Sequence, residues 1–382
     1  MTFSGKVFRS AGWTTLAGYV QLAISFGGNI LLARILLPDD FGVFALASSL
    51  LAFLFMLAGF GSQEAIVQCR DDTISDLIPT AFWITVGISL SLGILGTFVG
   101  VVIQPLYERV VTQVLIALTW IGSLNGVSGA FVAILQRDLQ FKPVAVGTIA
   151  STAISFAAAV GAAWLGAGPW ALVLREVISS LIRLLGYWAA SQYRVIFRFN
   201  IQSARWIWSF GWRMMVSRIT EVIFGRLDSF TVGTFMGTVA LGHYALAYRL
   251  AFLGQQLTQG SIQPVVFSTF SIVQHSKQKL EYGFERLNYW LLRIVFPLGL
   301  VIALTGENLV VWVYGDKWQL AGRVFQAMSV FLVVLPLHES VKQFLIGAGH
   351  IDVVIRTRLI QLAFFVPAVV IAALVGNLVT VT

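Results

Sequence analysis

Long apolar runs separated by short polar breaks dominate the chain. Eleven runs are each about 20 residues or longer, the length a helix needs to cross a bilayer. They lie at approximately 12–33, 41–67, 77–103, 110–135, 143–166, 169–192, 206–235, 240–272, 287–305, 319–347 and 353–377. The pattern predicts an all-α polytopic membrane protein with about eleven transmembrane helices.

The breaks carry their own signals. In RILLPDDFGVFALA, residues 34–47, Pro38 ends one run, and Asp39 and Asp40 begin the next, where acids complement a helix N-terminus. Pro105 and Pro169 also fall at segment edges, where a missing N–H is tolerated. Small residues four apart, Gly96/Gly100, Gly122/Gly126 and Gly233/Gly237, suit close helix packing in lipid. Two stretches read as connections rather than spans: basic residues 193–205 and polar residues 273–286.

Composition strengthens this picture. Hydrophobic residues make up 58% of the 382 and charged residues only 11%, with mean hydropathy +0.84. Soluble domains carry about 25% charged residues, so a water-soluble fold is excluded. The net charge of +8 and pI near 9.8 could suggest nucleic acid. The basic residues are scattered rather than gathered on one face, so no nucleic-acid partner is expected. With the N-terminus cytoplasmic, thirteen loop Lys/Arg lie inside, from Lys6 and Arg9 to Arg356 and Arg358. Only Arg34, Arg109, Lys317 and Arg323 lie outside, which is the expected inside bias. The single cysteine, Cys69, excludes a disulfide framework and reads as a bland thiol. No cleavable leader is expected before the first span.

An internal repeat divides the chain. FGVFALA at 41–47 matches LGHYALA at 241–247, an offset of 200. Leu50/Leu250, Gln63/Gln263 and Gly12-Trp13/Gly211-Trp212 extend the match. The offset spans six segments, so both copies share one orientation, as in transporters built from two parallel bundles. The expected organisation is an N-terminal six-helix lobe at 1–192, a cytoplasmic linker at 193–205 and a C-terminal lobe at 206–382. The second, with about five helices, is incomplete against the first. Two pseudo-symmetric bundles around a central cavity are expected.

LLARILLPDDFGVFALA followed by GFGSQEAIVQ resembles the polysaccharide flippases of the multidrug/oligosaccharidyl-lipid/polysaccharide exporter superfamily, in particular the colanic-acid-type branch. FGWRMMVSRITEVIFGRLDSFTVGTFMGTVALGHYALAYRL and PVVFSTFSIVQ resemble that branch's seventh and eighth helices. The resemblance implies translocation of an undecaprenyl-pyrophosphate-linked oligosaccharide across the bacterial inner membrane by alternating access. The product would be lipopolysaccharide or exopolysaccharide. Implied partners are the lipid-linked substrate, the bilayer, a polysaccharide polymerase and glycosyltransferases.

A pyrophosphate and sugars call for cations and hydrogen-bonding groups within the bilayer. Intramembrane charge costs roughly 2.5–3.5 kcal/mol per group on insertion scales, and so points to cavities or to partners. The seventh segment holds Arg213, Arg218, Glu221, Arg226 and Asp228. Glu221 and Asp228, seven apart, share a helix face, and Arg218 lies within pairing distance of Glu221. In one reading Arg218 and Arg226 meet the pyrophosphate while the acids position them or couple to a cation. In the other these groups only bridge one another, with Arg213 reaching to the headgroups. Arg249 stands where the first lobe has Ser49, either adding cationic character or reaching to headgroups. Arg175-Glu176 and Arg183 read as an ion pair and neighbour with a packing role. Gln21 and Gln63 suit sugar hydroxyls or interhelical bonds. Trp206, Trp208, Trp212, Trp312, Tyr314 and Trp318 read as interfacial belts.

No phosphate-binding loop or HExxH motif occurs, and His243, His275, His338 and His350 are dispersed. No cofactor, metal or enzymatic activity is therefore expected. Asp39-Asp40 and Asp71-Asp72 lie beside spans with no soluble catalytic domain around them, which argues against a glycosyltransferase. Two competing functions remain: a cation-coupled multidrug antiporter of the same superfamily, and a membrane polysaccharide polymerase or ligase. The first commonly uses an acid in its first helix, and residues 12–33 have none. The second typically needs a large external loop, whereas the longest outer connection here is about 306–318.

Overall fold

The computed structural model describes residues 3–56, 61–68, 74–261, 277–347 and 350–375. Cys69, Asp71, Asp72, Gln263, His275 and the side chain of Arg213 lie outside the described residues. Among the described residues the regular structure is entirely helical. Among the described residues, seven helical segments are long and apolar enough to cross a membrane: Gly12–Ile35, Pro38–Phe55, Asp76–Val102, Arg109–Arg137, Phe141–Trp164, Glu281–Tyr314 and Ser329–Ile346. The protein is a multi-pass helical membrane protein.

The chain packs as two compact units, Met1–Phe230 and Thr231–Thr382. In the first, helices α1 (Phe3–Ile35), α2 (Pro38–Phe55), α3 (Ser62–Gln68), α4 (Ile74–Val102), α5 (Arg109–Arg137), α6 (Phe141–Trp164) and α7 (Pro169–Ser191) lead into α8 (Ile201–Ser261). The stretch expected as one span at 41–67 is two helices. Its second part, α3, is only seven residues and follows Gly61 at φ 59°. The expected division between the seventh and eighth segments is a break inside α8, where Gly237 takes φ 86°, ψ 172°. That conformation suits a residue without Cβ.

α4 packs on α5, α5 on α7, α6 on both α1 and α7, and α2 on α5. Glycines set the closest approaches. A Cβ at Gly96 would lie 2.2 Å from Thr119 Cγ2, and one at Gly100 2.6 Å from Ile116 Cγ1. One at Gly126 would lie 2.3 Å from Ser89 Oγ. The Gly96/Gly100 spacing is therefore the α4–α5 contact, where dispersion rather than hydrophobic exclusion holds helices together in lipid. Gly122 faces the Phe55 ring of α2 instead, and Gly28 of α1 meets the Phe156 ring of α6. Gly237 contributes a break, not a contact.

The starts of α2 and α7 use prolines legible in the sequence. Pro38 occupies the first turn of α2, and the Leu37 N–H donates to Asp40 Oδ2 at 2.8 Å. This is the backward half of a capping box. A leucine at the cap cannot supply the forward half. Gly168, at φ 55° and ψ −134°, precedes Pro169 at the start of α7.

The connection after α7 is strapped to the start of α4. Trp83 Nε1 donates to the Ile196 carbonyl at 3.0 Å, and its ring meets Phe197 edge-on at 5.0 Å. Arg198 Nε lies 3.1 Å from Asp76 Oδ1. The Asn200 N–H donates to Thr80 Oγ1 at 3.0 Å, and its Nδ2 donates to Asp76 Oδ2 at 3.2 Å. Asn200 Oδ1 accepts the N–H groups of Gln202 and Ser203, capping α8. Burial raises the Tyr193 hydroxyl above its usual pKa in this connection.

In the second unit α9 (Lys277–Tyr314) packs on α10 (Gln319–Ala327) and α11 (Ser329–Gly347), and α11 touches α12 (Ile351–Val375). A 3₁₀ turn, Asp316–Trp318, joins α9 to α10. The segment expected at 319–347 is thus two helices meeting near Met328. Of the aromatics expected in an outer belt, Trp312 is exposed, but Tyr314 and Trp318 are buried. Trp318 is fully enclosed and meets the His243 ring edge-on at 5.5 Å. The repeat shows in burial: Phe41, Val43, Leu46 and Ala47 are buried, as are Leu241, His243, Tyr244, Leu246 and Ala247.

Gly96→Ala and Gly126→Ala are expected to lower stability by about 1–3 kcal/mol through overpacking. Gly18→Ala, with nothing within 4 Å of its added carbon, should be near neutral. Thermal unfolding in detergent reads the difference.

Candidate functional site

The polar groups of the first unit gather where α3, α4, α5 and α8 meet. A recess of ≈ 180 Å³ is lined by Ser62, Gln63, Glu64, Thr85, Ser89 and Arg218, with Phe55 and Ile88 as apolar wall. The short α3 brings three consecutive polar residues, Ser62, Gln63 and Glu64, to this place. Gly129 of α5 leaves room for Gln63: a Cβ there would lie 2.0 Å from Gln63 Nε2. Hydrogen bonds tie the wall together. Ser62 Oγ and Thr85 Oγ1 are 2.8 Å apart, and Ser123 Oγ donates to the Ser89 carbonyl at 2.6 Å.

Arg218 enters from α8. Its Nη2 lies 3.0 Å from Glu64 Oε1, with side-chain exposures of 53% and 34%. The expected partner was Glu221, three residues on in the same helix. The structure corrects this: Arg218 pairs across 154 positions, and Glu221 is exposed with no ion pair among the described residues. A local spacing rule permits the helical pair but cannot weigh it against a carboxylate delivered by tertiary packing. Glu64 is the residue the sequence reading missed. Its signal was an acid inside SQEAIVQ, in a stretch expected to be a continuous apolar span.

The other expected residues are dispersed. Arg226 is exposed, and Asp228, expected on one face with Glu221, is buried with Oδ1 accepting the Ser229 N–H at 2.6 Å. The difference in burial is one of depth along α8. Gln21 is exposed on α1, away from the residues lining the recess, while Gln63 lines it. Arg249 is half-buried in the second unit.

Arg175 and Glu176 pair as expected, with Nη2 to Oε1 at 2.5 Å. The Arg175 guanidinium also lies between two rings, 5.7 Å from Phe44 and 5.1 Å from Phe156. Cation–π contact on both sides lets α7 carry a largely buried cation against α2 and α6. Nearby Arg183 Nη2 donates to Asn125 Oδ1 at 3.4 Å, which also accepts from Ser180 Oγ at 2.9 Å. At the end of α5, Arg137 Nη1 donates to the Ile66 carbonyl of α3 at 3.0 Å, fixing the short helix that carries Glu64.

A multi-pass helical protein with a charge-bearing polar recess is the class this geometry defines. Residues 31–322 match the polysaccharide biosynthesis protein family, and the chain belongs to that family. It is 26% identical to the succinoglycan biosynthesis transport protein ExoT of Rhizobium meliloti, over 98% of this chain and 76% of that protein. Identity to the lipopolysaccharide biosynthesis protein WzxC of Escherichia coli is 23%, over 100% and 78%. For the teichuronic acid biosynthesis protein TuaB of Bacillus subtilis it is 22%, over 91% and 72%. Among solved structures, the lipid II flippase MurJ in its inward closed conformation aligns with a TM-score of 0.75 at 12% identity, covering 98% of this chain and 83% of that one. An inward-facing multidrug transporter of the MATE family aligns at 0.66 and 16% identity, covering 94% and 93%. The fold is that of these two solved structures.

Because Arg218 and Glu64 are both substantially exposed, their pair is worth about 1 kcal/mol or less. Glu64→Gln is expected to leave the unfolding temperature nearly unchanged. Arg175→Ala, which strips two ring contacts and leaves a carboxylate unpaired, should cost about 2–3 kcal/mol in the same assay.

Proposed function

We propose that the protein moves a lipid-linked oligosaccharide across the bacterial inner membrane by alternating access, supplying lipopolysaccharide or exopolysaccharide synthesis. The observation that carries this reading is the Arg218 recess. It offers one accessible cation beside uncharged hydrogen-bonding groups, the set that a diphosphate and sugar hydroxyls require. The relatives' names agree with it: three are named for biosynthesis of succinoglycan, lipopolysaccharide and teichuronic acid, and one structural neighbour is a lipid II flippase.

In this reading Arg218 receives the diphosphate, and Glu64 holds the guanidinium in place while no substrate is present. Gln63, Ser62 and Thr85 take sugar hydroxyls. Arg226, Arg249 and Gln21 are further contacts along the path. Glu221, Asp228 and Arg213 serve coupling or charge balance, and Arg175-Glu176 holds α7 in the bundle. The two lobes divide at the 193–205 linker, with the N-terminus cytoplasmic. A polysaccharide polymerase and glycosyltransferases act alongside.

The MATE-family neighbour favours one second reading, a cation-coupled multidrug antiporter. Complementation of a deletion strain separates the two. Arg218→Ala is expected to lower polymer output about ten-fold or more, with Arg218→Lys restoring part of it. Wild-type output from both Arg218→Ala and Arg226→Ala would remove these arginines from the mechanism. A change in drug accumulation with unchanged polymer would favour the antiporter.

A further inference from the structure

A cluster at the start of α9 lies outside the recess. Arg286, Tyr289, Trp290 and Arg293 follow the i, i+3, i+4, i+7 spacing of one helix face, and all four are exposed. The alternate positions pack inward: the Phe284 ring lies 4.5 Å from that of Phe344 on α11, and Asn288 Nδ2 donates to the Phe284 carbonyl. The arginine face is therefore the one that α9 turns away from its own unit.

Both guanidiniums rest on rings. Arg286 lies 5.8 Å from the Tyr289 ring and 5.6 Å from Trp290; Arg293 lies 4.5 Å and 5.9 Å from the same two. Neither makes a hydrogen bond or ion pair among the described residues, although Glu285 is adjacent to Arg286 in sequence. Stacking orients a guanidinium through its face and leaves the N–H edges open, the geometry that takes a phosphate through two bonds. One turn further along α9, exposure becomes apolar at Ile294, Phe296 and Leu298. Aromatics followed by lipid-facing aliphatics mark the headgroup level of a spanning helix.

We propose that Arg286, Tyr289, Trp290 and Arg293 form a binding site for the headgroup phosphate of an anionic bilayer phospholipid. Charge complementarity selects this occupant: two unpaired cations seven residues apart, about 10 Å along the axis, at the depth where phosphates lie. The cluster is separate from the recess and does not rest on the proposed function.

Native mass spectrometry of the detergent-purified protein, titrated with phosphatidylglycerol, tests it. Phosphatidylglycerol is expected to bind about ten-fold or more tightly than phosphatidylcholine. The double variant Arg286→Gln/Arg293→Gln should weaken it on the order of thirty-fold, and each single variant about five-fold. The single variants decide the question should the double variant fail to fold. The double lysine variant, which keeps charge but not the planar fork, should fall between wild type and the glutamine pair. Equal binding of phosphatidylcholine, or phosphatidylglycerol binding unchanged in the glutamine variants, overturns the site. So does undecaprenyl diphosphate losing affinity in these variants while phosphatidylglycerol does not.

Discussion

Inside a bilayer no water completes an unfinished hydrogen bond, so each polar group must find its partner in the protein. Among the described residues, many hydroxyls meet this demand locally, by bonding back one turn. Ser49 donates to the Ala45 carbonyl, Thr80 to Asp76, Thr97 to Gly93 and Thr152 to Thr148. The informative hydroxyls also bond between helices, as Ser62 with Thr85, Ser123 with the Ser89 carbonyl, and Ser180 with Asn125. The first two occur where glycines bring α4, α5 and α3 close. Close packing and polar grouping are thus one arrangement, and the recess is where it opens.

Two cations of the first unit are held in contrasting ways. Arg175 is held between aromatic faces and an adjacent carboxylate, with its side chain only 13% exposed. Such a charge is fixed, because withdrawing either ring or acid leaves it uncompensated. Arg218 is held by one carboxylate and remains half in the open. A cation with a single exposed partner can exchange that partner at modest cost. Only the second kind suits transient recognition of a charged guest.

The apolar runs made the helical class and most helix positions legible, since a hydrophobic stretch of spanning length has few alternatives. Proline and aspartate placed the start of α2 to within about three residues, because capping is local chemistry. Three kinds of feature were not legible. The break at Gly61 hid inside an apolar run, so α3 and its Glu64 were taken for a span. Tyr314 and Trp318 carry the composition of an interfacial belt, yet the turn between α9 and α10 folds them inward. Pairings such as Arg218 with Glu64 depend on which helices become neighbours, and no spacing along one helix encodes that. The repeat was legible because it rests on identity at fixed offset, and the buried positions of α2 and of the second part of α8 follow it.

The strap between α7 and α8 places an unusual demand on position 200. Serine, threonine and aspartate all cap helices about as well as asparagine. None of them could stand here unchanged. A hydroxyl is too short to cap α8 and also reach Asp76, and an aspartate would set a second carboxylate against the first. Only an amide offers an oxygen to the helix behind it and a nitrogen to the acid in front. The identity of this residue is thus dictated from 124 positions upstream. A substitution that any table of helix propensities would pass as conservative would here cost the strap its amide bond to Asp76.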